Sequence, residues 1–94
     1  MRQARATEEV ARSLGVLLVT IVSAIVDEED AVSVDVDKKS HRVLLRLETA
    51  DSDAGRVIGY RGRTITAIRE ILYSAARASG TSVDLEYKND RGNE

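Results

Sequence analysis

The residues best suited to chemistry are two glycines and two arginines in the run Val57-Ile58-Gly59-Tyr60-Arg61-Gly62-Arg63-Thr64-Ile65. Gly59 and Gly62 bracket a short turn, and glycine allows left-handed backbone conformations and close approach of another molecule to the main chain. A helix is predicted to begin directly after this turn, so its unpaired N–H groups and its dipole favour an anion there. Arg61 and Arg63 add two full positive charges. This pattern predicts binding of a phosphate backbone.

Charge is distributed unevenly along the chain. The formal net charge is −2 at pH 7. The segment 54–79 nevertheless carries five arginines against one acid, Glu70, a balance of +4, whereas the segment 27–37 carries six acids and no base. Because the location of charge matters more than its sum, a basic face can bind a polyanion while the acidic segment suppresses non-specific adhesion.

Composition argues against several classes of function. The absence of cysteine excludes a disulfide and a thiolate zinc site and fits a reducing, cytoplasmic setting. The only histidine, His41, falls in a polar turn beside Lys38 and Lys39, where a solvated residue is expected rather than a general base. No nucleophile motif, Walker-type loop or metal-ligand spacing is present. The sequence therefore predicts neither an enzyme nor a metal or cofactor site.

An apolar run from Leu14 to Val26 follows a basic N-terminus. A targeting segment is disfavoured because four acids, not a small-residue cleavage site, come after it. The run is also shorter than the roughly 20 residues that a membrane-spanning helix needs. We therefore expect a buried helix, apolar nearly all round, which is either the central helix of a small core or a self-association surface.

Hydrophobic spacing predicts the first half of the fold. Apolar residues three and four positions apart predict a helix from an N-cap at Thr7 to about Val26. Two alternating runs, Val32–Asp37 and Arg42–Glu48, predict an antiparallel hairpin around the turn 38–41. The residues expected to face the core are Val10, Leu14, Leu17, Ile21, Ile25, Val32, Val34, Val36, Val43, Leu45 and Leu47.

The second half is predicted in the same way. Asp51-Ser52-Asp53 supplies N-cap side chains for a short helix, Ala54–Ile58, which leads into the glycine turn. A longer helix runs from about Arg63 to Ala78, and a third strand covers 82–87. With 94 residues the chain is predicted to form a single domain, ordered over about 8–87, with a flexible tail at 88–94.

The run from Val57 to Ile65 resembles the VIGxxGxxI signature of KH domains, in which the GxxG loop clamps four backbone nucleotides. The element order αββααβ resembles the type II arrangement, and the size is similar to that of the small stand-alone bacterial KhpA-type RNA-binding proteins. The resemblance covers about residues 8–87. It implies an α+β fold in which three helices pack on one face of a three-stranded mixed sheet, with the middle and last strands adjacent and parallel.

The resemblance also implies a function, namely clamping of single-stranded or looped RNA without a cofactor, as an RNA chaperone or post-transcriptional regulator. It implies pairing with a second copy or with a larger KH-containing protein, so an adaptor that acts mainly through protein contacts is the alternative. The variable loop positions hold Tyr60, which either stacks on a base or narrows access, and Arg61. Ile58 and Ile65 either line a groove for bases or belong to the core. The candidate RNA-binding residues are Ile58, Gly59, Tyr60, Arg61, Gly62, Arg63, Thr64, Ile65, Arg56 and Arg69.

Overall fold

The computed structural model describes residues 2–90, with side chains from residue 8 onward. Its main elements are α1 (Arg2–Ile25), β1 (Ser33–Lys38), β2 (Arg42–Glu48), α2 (Ala54–Ile58), α3 (Arg63–Ala78) and β3 (Ser82–Tyr87). Short 3₁₀ segments lie between them at Glu29–Ala31, Asp51–Asp53 and Tyr60–Gly62. This order confirms the predicted αββααβ fold of the α+β class.

The three strands form one mixed sheet in the order β1-β2-β3. β1 pairs with β2 antiparallel, and β2 pairs with β3 parallel. Val36 of β1 lies opposite Leu45, which in turn lies opposite Leu85 of β3. Helix α1 packs on β1 and β2, while α3 packs on β3 and against α1. The helices therefore cover one face of the sheet, as expected for the type II arrangement.

The core is aliphatic and lies between this face and the helices. Every second residue of β2 is fully buried, whereas its remaining residues are exposed or half-buried, so β2 is the central strand of the core. Ile65, Ile68 and Leu72 project from α3 into the same core, as their spacing predicted. The buried hydrophobic residues are Ala11, Leu14, Leu18, Val22, Val26, Val43, Leu45, Leu47, Val57, Ile65, Ile68, Leu72, Ala76, Val83, Leu85 and Tyr87.

Helix α1 differs from its prediction at its start and in its buried stripe. It begins at Arg2, so Thr7 lies within the helix and the predicted N-cap there is wrong. No glycine or proline lies between Arg2 and Gly15, so the sequence contains no residue that would prevent the helix from beginning before Thr7. Leu18 and Val22 are fully buried, whereas Leu17 is half-buried. The buried residues therefore lie on a face of α1 that is rotated slightly from the predicted one, because α3 and the sheet together determine which face of α1 is covered.

One face of α1 and the neighbouring strand β1 leave an apolar groove open. Val16, Val19 and Val36 are 61%, 38% and 42% exposed. Val36 lies on the helix side of the sheet, opposite the buried Leu45, but it stays partly exposed and is not buried in the core as predicted. Gly15 is buried against β1, and a Cβ there would lie 3.1 Å from the Val36 Cγ2. Helix and strand therefore approach closely. We call the cavity of about 340 Å³ lined by Arg12, Gly15, Val16, Val19, Thr20, Val34 and Val36 the valine groove.

The face of the sheet that the helices leave uncovered carries a network of ion pairs. Arg42 pairs with Asp84 across β2 and β3. Arg46 bridges both neighbouring strands, at 3.3 Å from Asp37 and 3.2 Å from Glu86. Exposed pairs of this kind contribute little stability each, but they offset part of the negative charge of this face.

The ends of β2 and β3 are joined by a buried polar contact. The Tyr87 hydroxyl lies 2.6 Å from the Thr49 Oγ1, and burial raises the pKa of Tyr87. The Asn89 side chain accepts a hydrogen bond from the Thr49 N–H at 2.9 Å and donates to Asp51 at 2.7 Å. Lys88 donates its N–H to Leu47. A further backbone hydrogen bond joins the Asp90 N–H to Tyr87 O, and residues 91–94 of the predicted tail lie outside the described residues.

Candidate nucleic-acid interface

The glycine turn between α2 and α3 is closed by backbone hydrogen bonds. The Gly59 N–H donates to Gly55 O at 2.8 Å and ends α2. The Gly62 N–H donates to Gly59 O at 3.0 Å, and the Arg63 N–H donates to Tyr60 O. All three bonds join backbone groups, so the shape of the turn does not depend on hydrogen bonds from its side chains.

The two glycines of the turn are required for different reasons. Gly59 has φ 79° and ψ 174°, a combination essentially restricted to glycine. A Cβ on Gly59 would lie 2.2 Å from the Thr64 Oγ1 and 2.8 Å from the Thr64 nitrogen. Gly62 has φ 75° and ψ 14°, an ordinary left-handed conformation, and a Cβ there would meet nothing within 4 Å. Gly59 is therefore fixed by packing within the domain, whereas Gly62 borders open space.

Tyr60 and the two loop arginines form an exposed cluster. The Tyr60 ring is 71% exposed. The Arg61 guanidinium carbon lies 5.2 Å from the ring centroid, and that of Arg63 lies 5.9 Å from it, within the range of cation–π attraction. Arg61 also adopts a left-handed backbone with φ 55°, which is uncommon outside glycine. The ring therefore holds two cations together at the tip of the turn.

The N-terminus of α3 opens directly beside this cluster. Its N-cap is Gly62, and no side chain caps the first turn. Uncapped N–H groups at a helix start, together with the helix dipole, form a binding site for an anion. The first turn of α3 contains no acidic residue that could compete for these groups.

The apolar and hydroxyl residues beside the turn occupy distinct environments. Ile65 is 4% exposed and belongs to the core, whereas Ile58 is half-buried at the margin of the core. Thr64 packs against Gly59, as the short distances at that position show. Of the two isoleucines, only Ile58 has accessible apolar surface next to the turn.

Arg56 and Arg69 are both engaged elsewhere in the domain. Arg56 lies 3.1 Å from Asp27 and 3.9 Å from the buried carboxylate of Asp53, at the junction of α1 and α2. Arg69 donates to the backbone carbonyl of Leu85 in β3 at 3.3 Å. The structure brings the residues of 58–65 together but places these two arginines outside the loop cluster.

Arginines of the described chain divide into paired and unpaired groups. Arg42, Arg46 and Arg56 are held in ion pairs on the sheet face and at the α1–α2 junction. Among the residues that have described side chains, no carboxylate pairs with the arginines at 12, 61, 63, 69 and 77. Four of these five lie on the turn and α3, so uncompensated positive charge concentrates there.

Asp53 has a role that its sequence position did not reveal. It was predicted as an N-cap, yet its side chain makes no cap hydrogen bond. Instead, its carboxylate is 1% exposed and accepts the N–H groups of Asp27 and Glu28, at 3.0 Å each. These bonds fix the end of α1 to the start of α2 and thereby orient the helix that leads into the turn. The partners lie far away in sequence, so no local pattern identifies them.

Within residues 2–90, no cluster of histidine, cysteine, aspartate or glutamate is arranged to hold a metal ion. No helix in the same range has the length and apolar character needed to cross a bilayer.

Comparison with known proteins places this architecture among its relatives. The family profile described as "KhpA/KhpB, KH domain" matches residues 16–86, which include the whole glycine turn. Proteins named "RNA-binding protein KhpA" are 35% identical in Chlamydia caviae, over 79% of this chain and 95% of that protein, and 39% identical in Bacillus subtilis, over 74% and 86%. The homologue of that name in Streptococcus pneumoniae serotype 4 is 37% identical, over 80% and 85%. No solved structure gives a significant match. The chain belongs to the KhpA/KhpB family of KH domains.

Proposed function

We propose that this protein binds RNA by clamping the phosphate backbone of a single-stranded or looped segment at the glycine turn. The relatives of known name are RNA-binding proteins, which supports the ligand class. Binding requires neither a cofactor nor catalysis. An RNA chaperone or post-transcriptional regulator in the cytoplasm fits this mode of action.

The observation that carries the proposal is the group of unpaired cations at an uncapped helix N-terminus. Arg61 and Arg63 are held against the Tyr60 ring and have no carboxylate partner among the described residues. The open space beside Gly62 lets a sugar–phosphate backbone approach the N–H groups of α3. Charge-assisted bonds from guanidinium and backbone N–H groups to phosphate oxygens are stronger than neutral ones.

Bases of the bound strand would lie next to the half-buried Ile58, with their edges available for hydrogen bonds. The phosphates contribute most of the affinity and little sequence preference. With two to four phosphates neutralised, the logarithm of affinity should fall with the logarithm of salt concentration at a slope of about −1.4 to −2.8. A single module of this kind should bind weakly.

Replacing Tyr60 and Arg61 together with aspartate tests the clamp. Two negative charges would then stand where phosphate is proposed to lie, so RNA affinity should fall at least tenfold, equivalent to about 1.4 kcal/mol. Aspartate tolerates the left-handed backbone of position 61, so the turn should keep its shape. Fluorescence anisotropy with a labelled single-stranded RNA pool measures the affinity, and circular dichroism checks the fold.

Ser33→Asp with Lys39→Asp is a matched control, because it places two acids at exposed positions of β1 and the following turn, outside both the glycine turn and the valine groove. This control should retain RNA affinity within about twofold. If the folded Tyr60→Asp, Arg61→Asp variant binds RNA as tightly as the wild-type protein, the phosphate clamp is not at this turn.

A second candidate activity is supported by the valine groove. Val16 and Val19 are exposed on α1 and border this groove of about 340 Å³ beside the edge strand β1. Exposed apolar patches of this kind mark protein–protein contacts. We propose that the groove mediates pairing with a second KH module, either another copy of this chain or a larger KH-containing protein. Pairing would raise weak single-module RNA affinity by avidity.

Val16→Asp tests this pairing. A charge in the middle of the groove should shift a self-associating protein towards monomer, with at least a tenfold weaker dimer affinity, because a carboxylate would have to be buried without a partner. Sedimentation equilibrium measures the association. Ser13→Asp, on the edge of α1 that faces α3, is the matched control and should leave the mass distribution unchanged. A Val16→Asp variant that associates like the wild-type protein would show that the groove is not the contact.

A further inference from the structure

The free edge of β1 is open to pairing with another strand. β1 is an edge strand because the sheet order is β1-β2-β3, and its pairing with β2 runs without interruption from Ser33 to Lys38. Proline, a bulge or a covering segment commonly blocks the edge of a sheet. β1 has neither proline nor bulge, and among the described residues no hydrogen bond from outside the sheet reaches the backbone of Val34 or Val36. Nothing in the strand itself therefore prevents a further strand from pairing with it.

The backbone groups at this edge belong to alternate residues. The Lys39 N–H donates to Arg42 O at 2.8 Å, at the end of the β1–β2 hairpin. In an antiparallel pair, every second residue bonds to the strand opposite. The odd-numbered residues of β1 therefore bond to β2, whereas Val34, Val36 and Lys38 turn their N–H and C=O groups to the free edge.

An apolar surface follows the helix side of the same edge. Val34 and Val36 both line the valine groove. The groove adjoins a second cavity of about 380 Å³, which is lined by Glu8, Ala11, Arg12, Val36 and Lys38. The two cavities share Arg12 and Val36, so they form one continuous depression. This depression follows most of β1, whose six residues span about 20 Å.

The opposite side of the edge is acidic. Ser33, Asp35 and Asp37 alternate with the groove residues, so their side chains lie on the face that the helices leave uncovered. Asp37 is paired with Arg46 at 3.3 Å. Asp35 is exposed and forms no ion pair with any described side chain. A strand added to this edge would place its own side chains next to these carboxylates, where positive charge is favourable.

The same acids disfavour a second copy of this chain as the donor of the strand. If two β1 strands paired antiparallel around Val36, each Asp35 would lie opposite an Asp37. Like charges directly opposite each other in a sheet are destabilising. A strand with basic residues on this face avoids the repulsion, and apolar residues on its other face fill the groove.

We propose that the free edge of β1 binds an extended segment of another protein, in which apolar and basic residues alternate, as an added antiparallel strand. Its apolar side chains enter the valine groove beside Val16, and its basic side chains lie next to Asp35 and Asp37. Its N–H and C=O groups pair with those of Val34 and Val36. Antiparallel pairing is the more stable of the two orientations per residue. This inference rests on the proposed role of the groove as a protein contact, and it favours a different protein over a second copy as the occupant.

Synthetic peptides test this mode of binding. The probe is a labelled peptide of about seven residues, blocked at both ends, in which valine and lysine alternate, and the comparison peptide carries glutamate in place of lysine. Fluorescence anisotropy at low salt should show at least about tenfold tighter binding of the lysine peptide, because opposite charges on neighbouring strands attract and like charges repel.

Methylation of the peptide backbone tests the strand pairing itself. In the antiparallel arrangement the valine N–H groups of the peptide face β1, and the lysine N–H groups face away. Methyl groups on the valine nitrogens of the lysine peptide should therefore weaken binding at least about tenfold, whereas methyl groups on its lysine nitrogens should leave the affinity within about twofold.

Asp35→Lys with Asp37→Lys should reverse the preference, so that the glutamate peptide binds more tightly. Both side chains lie on the surface of the sheet, and the ion pair of Asp37 is exposed, so the fold should be retained. Circular dichroism checks this. Glu9→Lys with Glu70→Lys is the matched control, because it changes the net charge equally at exposed positions of α1 and α3. It should retain the preference for the lysine peptide.

Equal binding of the lysine and glutamate peptides would overturn the added strand, and so would equal binding of the two methylated peptides. A folded Asp35→Lys, Asp37→Lys variant that still prefers the lysine peptide would also overturn it.

Val16→Asp separates this inference from the proposed pairing. If Val16→Asp weakens association but the wild-type protein binds neither peptide with a Kd below about 1 mM, the groove is a contact between folded domains and the added strand is wrong. If the wild-type protein binds the lysine peptide but Val16→Asp leaves association unchanged, the proposed pairing fails and the strand site stands.

Discussion

Gly59→Ala is expected to lower the free energy of unfolding by about 3 kcal/mol or more. Backbone conformations restricted to glycine cost a side-chain-bearing residue about 1–3 kcal/mol. The added Cβ would also stand 2.2 Å from the Thr64 Oγ1 and 2.8 Å from the Thr64 nitrogen. The nitrogen belongs to the first turn of α3, so relief requires the helix start to move. Urea denaturation followed by circular dichroism measures the loss.

Gly62→Asn is the matched control for this change. Asparagine tolerates the left-handed conformation of Gly62, and a Cβ there meets nothing within 4 Å. We expect a loss of about 1 kcal/mol or less in stability. Since the side chain would occupy the open space where the RNA backbone is proposed to approach, RNA affinity should nevertheless fall. The two glycine variants should therefore separate folding from binding.

Adding Thr64→Ala to Gly59→Ala sharpens the first prediction. The double variant removes the closest atom, the Thr64 Oγ1, but keeps the backbone nitrogen and the unfavourable dihedral angles. It should therefore recover less than half of the lost stability. Full recovery would mean that the hydroxyl clash alone makes glycine necessary at position 59.

Asp53→Ala is expected to destabilise the domain by about 2–6 kcal/mol. The carboxylate is buried and accepts two backbone N–H groups, those of Asp27 and Glu28. Its removal leaves both donors without a partner, at a cost of about 1–3 kcal/mol each. The ion pairing of Arg56 is weakened at the same time. Thermal and urea denaturation measure the change.

Asp30→Ala is the control for this prediction, because Asp30 is an exposed acid in the same connection between α1 and β1. It should change stability by no more than about 0.5 kcal/mol. Equal stabilities for the two variants would show that the bonds from Asp53 to the end of α1 contribute nothing to the fold.

The element order and the strand pairing could be predicted because they depend on local periodicity and on a recognisable motif. Alternating residues of β2 are buried as expected, and α3 has the predicted bounds. The exposure of Val36 could not be predicted, because alternation shows which residues share a face but not how far a helix covers an edge strand. The buried stripe of α1 depends likewise on how α3 and the sheet share its surface.

The glycine turn was identified from the sequence, but the different structural roles of its two glycines were not. The sequence does not distinguish Gly59 from Gly62, and only their dihedral angles and neighbouring atoms show that their roles differ. The arginines, too, look alike in the sequence. The structure shows that Arg56 is paired with Asp27, which lies in a distant segment of the chain.

The closure of the glycine turn by main-chain bonds alone has an evolutionary consequence. Because no side chain at position 60 or 61 holds the turn together, the two positions can diverge among family members without any change in the scaffold. Position 61 is restricted only by its left-handed backbone, which favours glycine, asparagine and aspartate and admits arginine here. In the proposed mode of RNA binding, substitutions at these two positions would change the ligand preference while the rest of the domain stays the same.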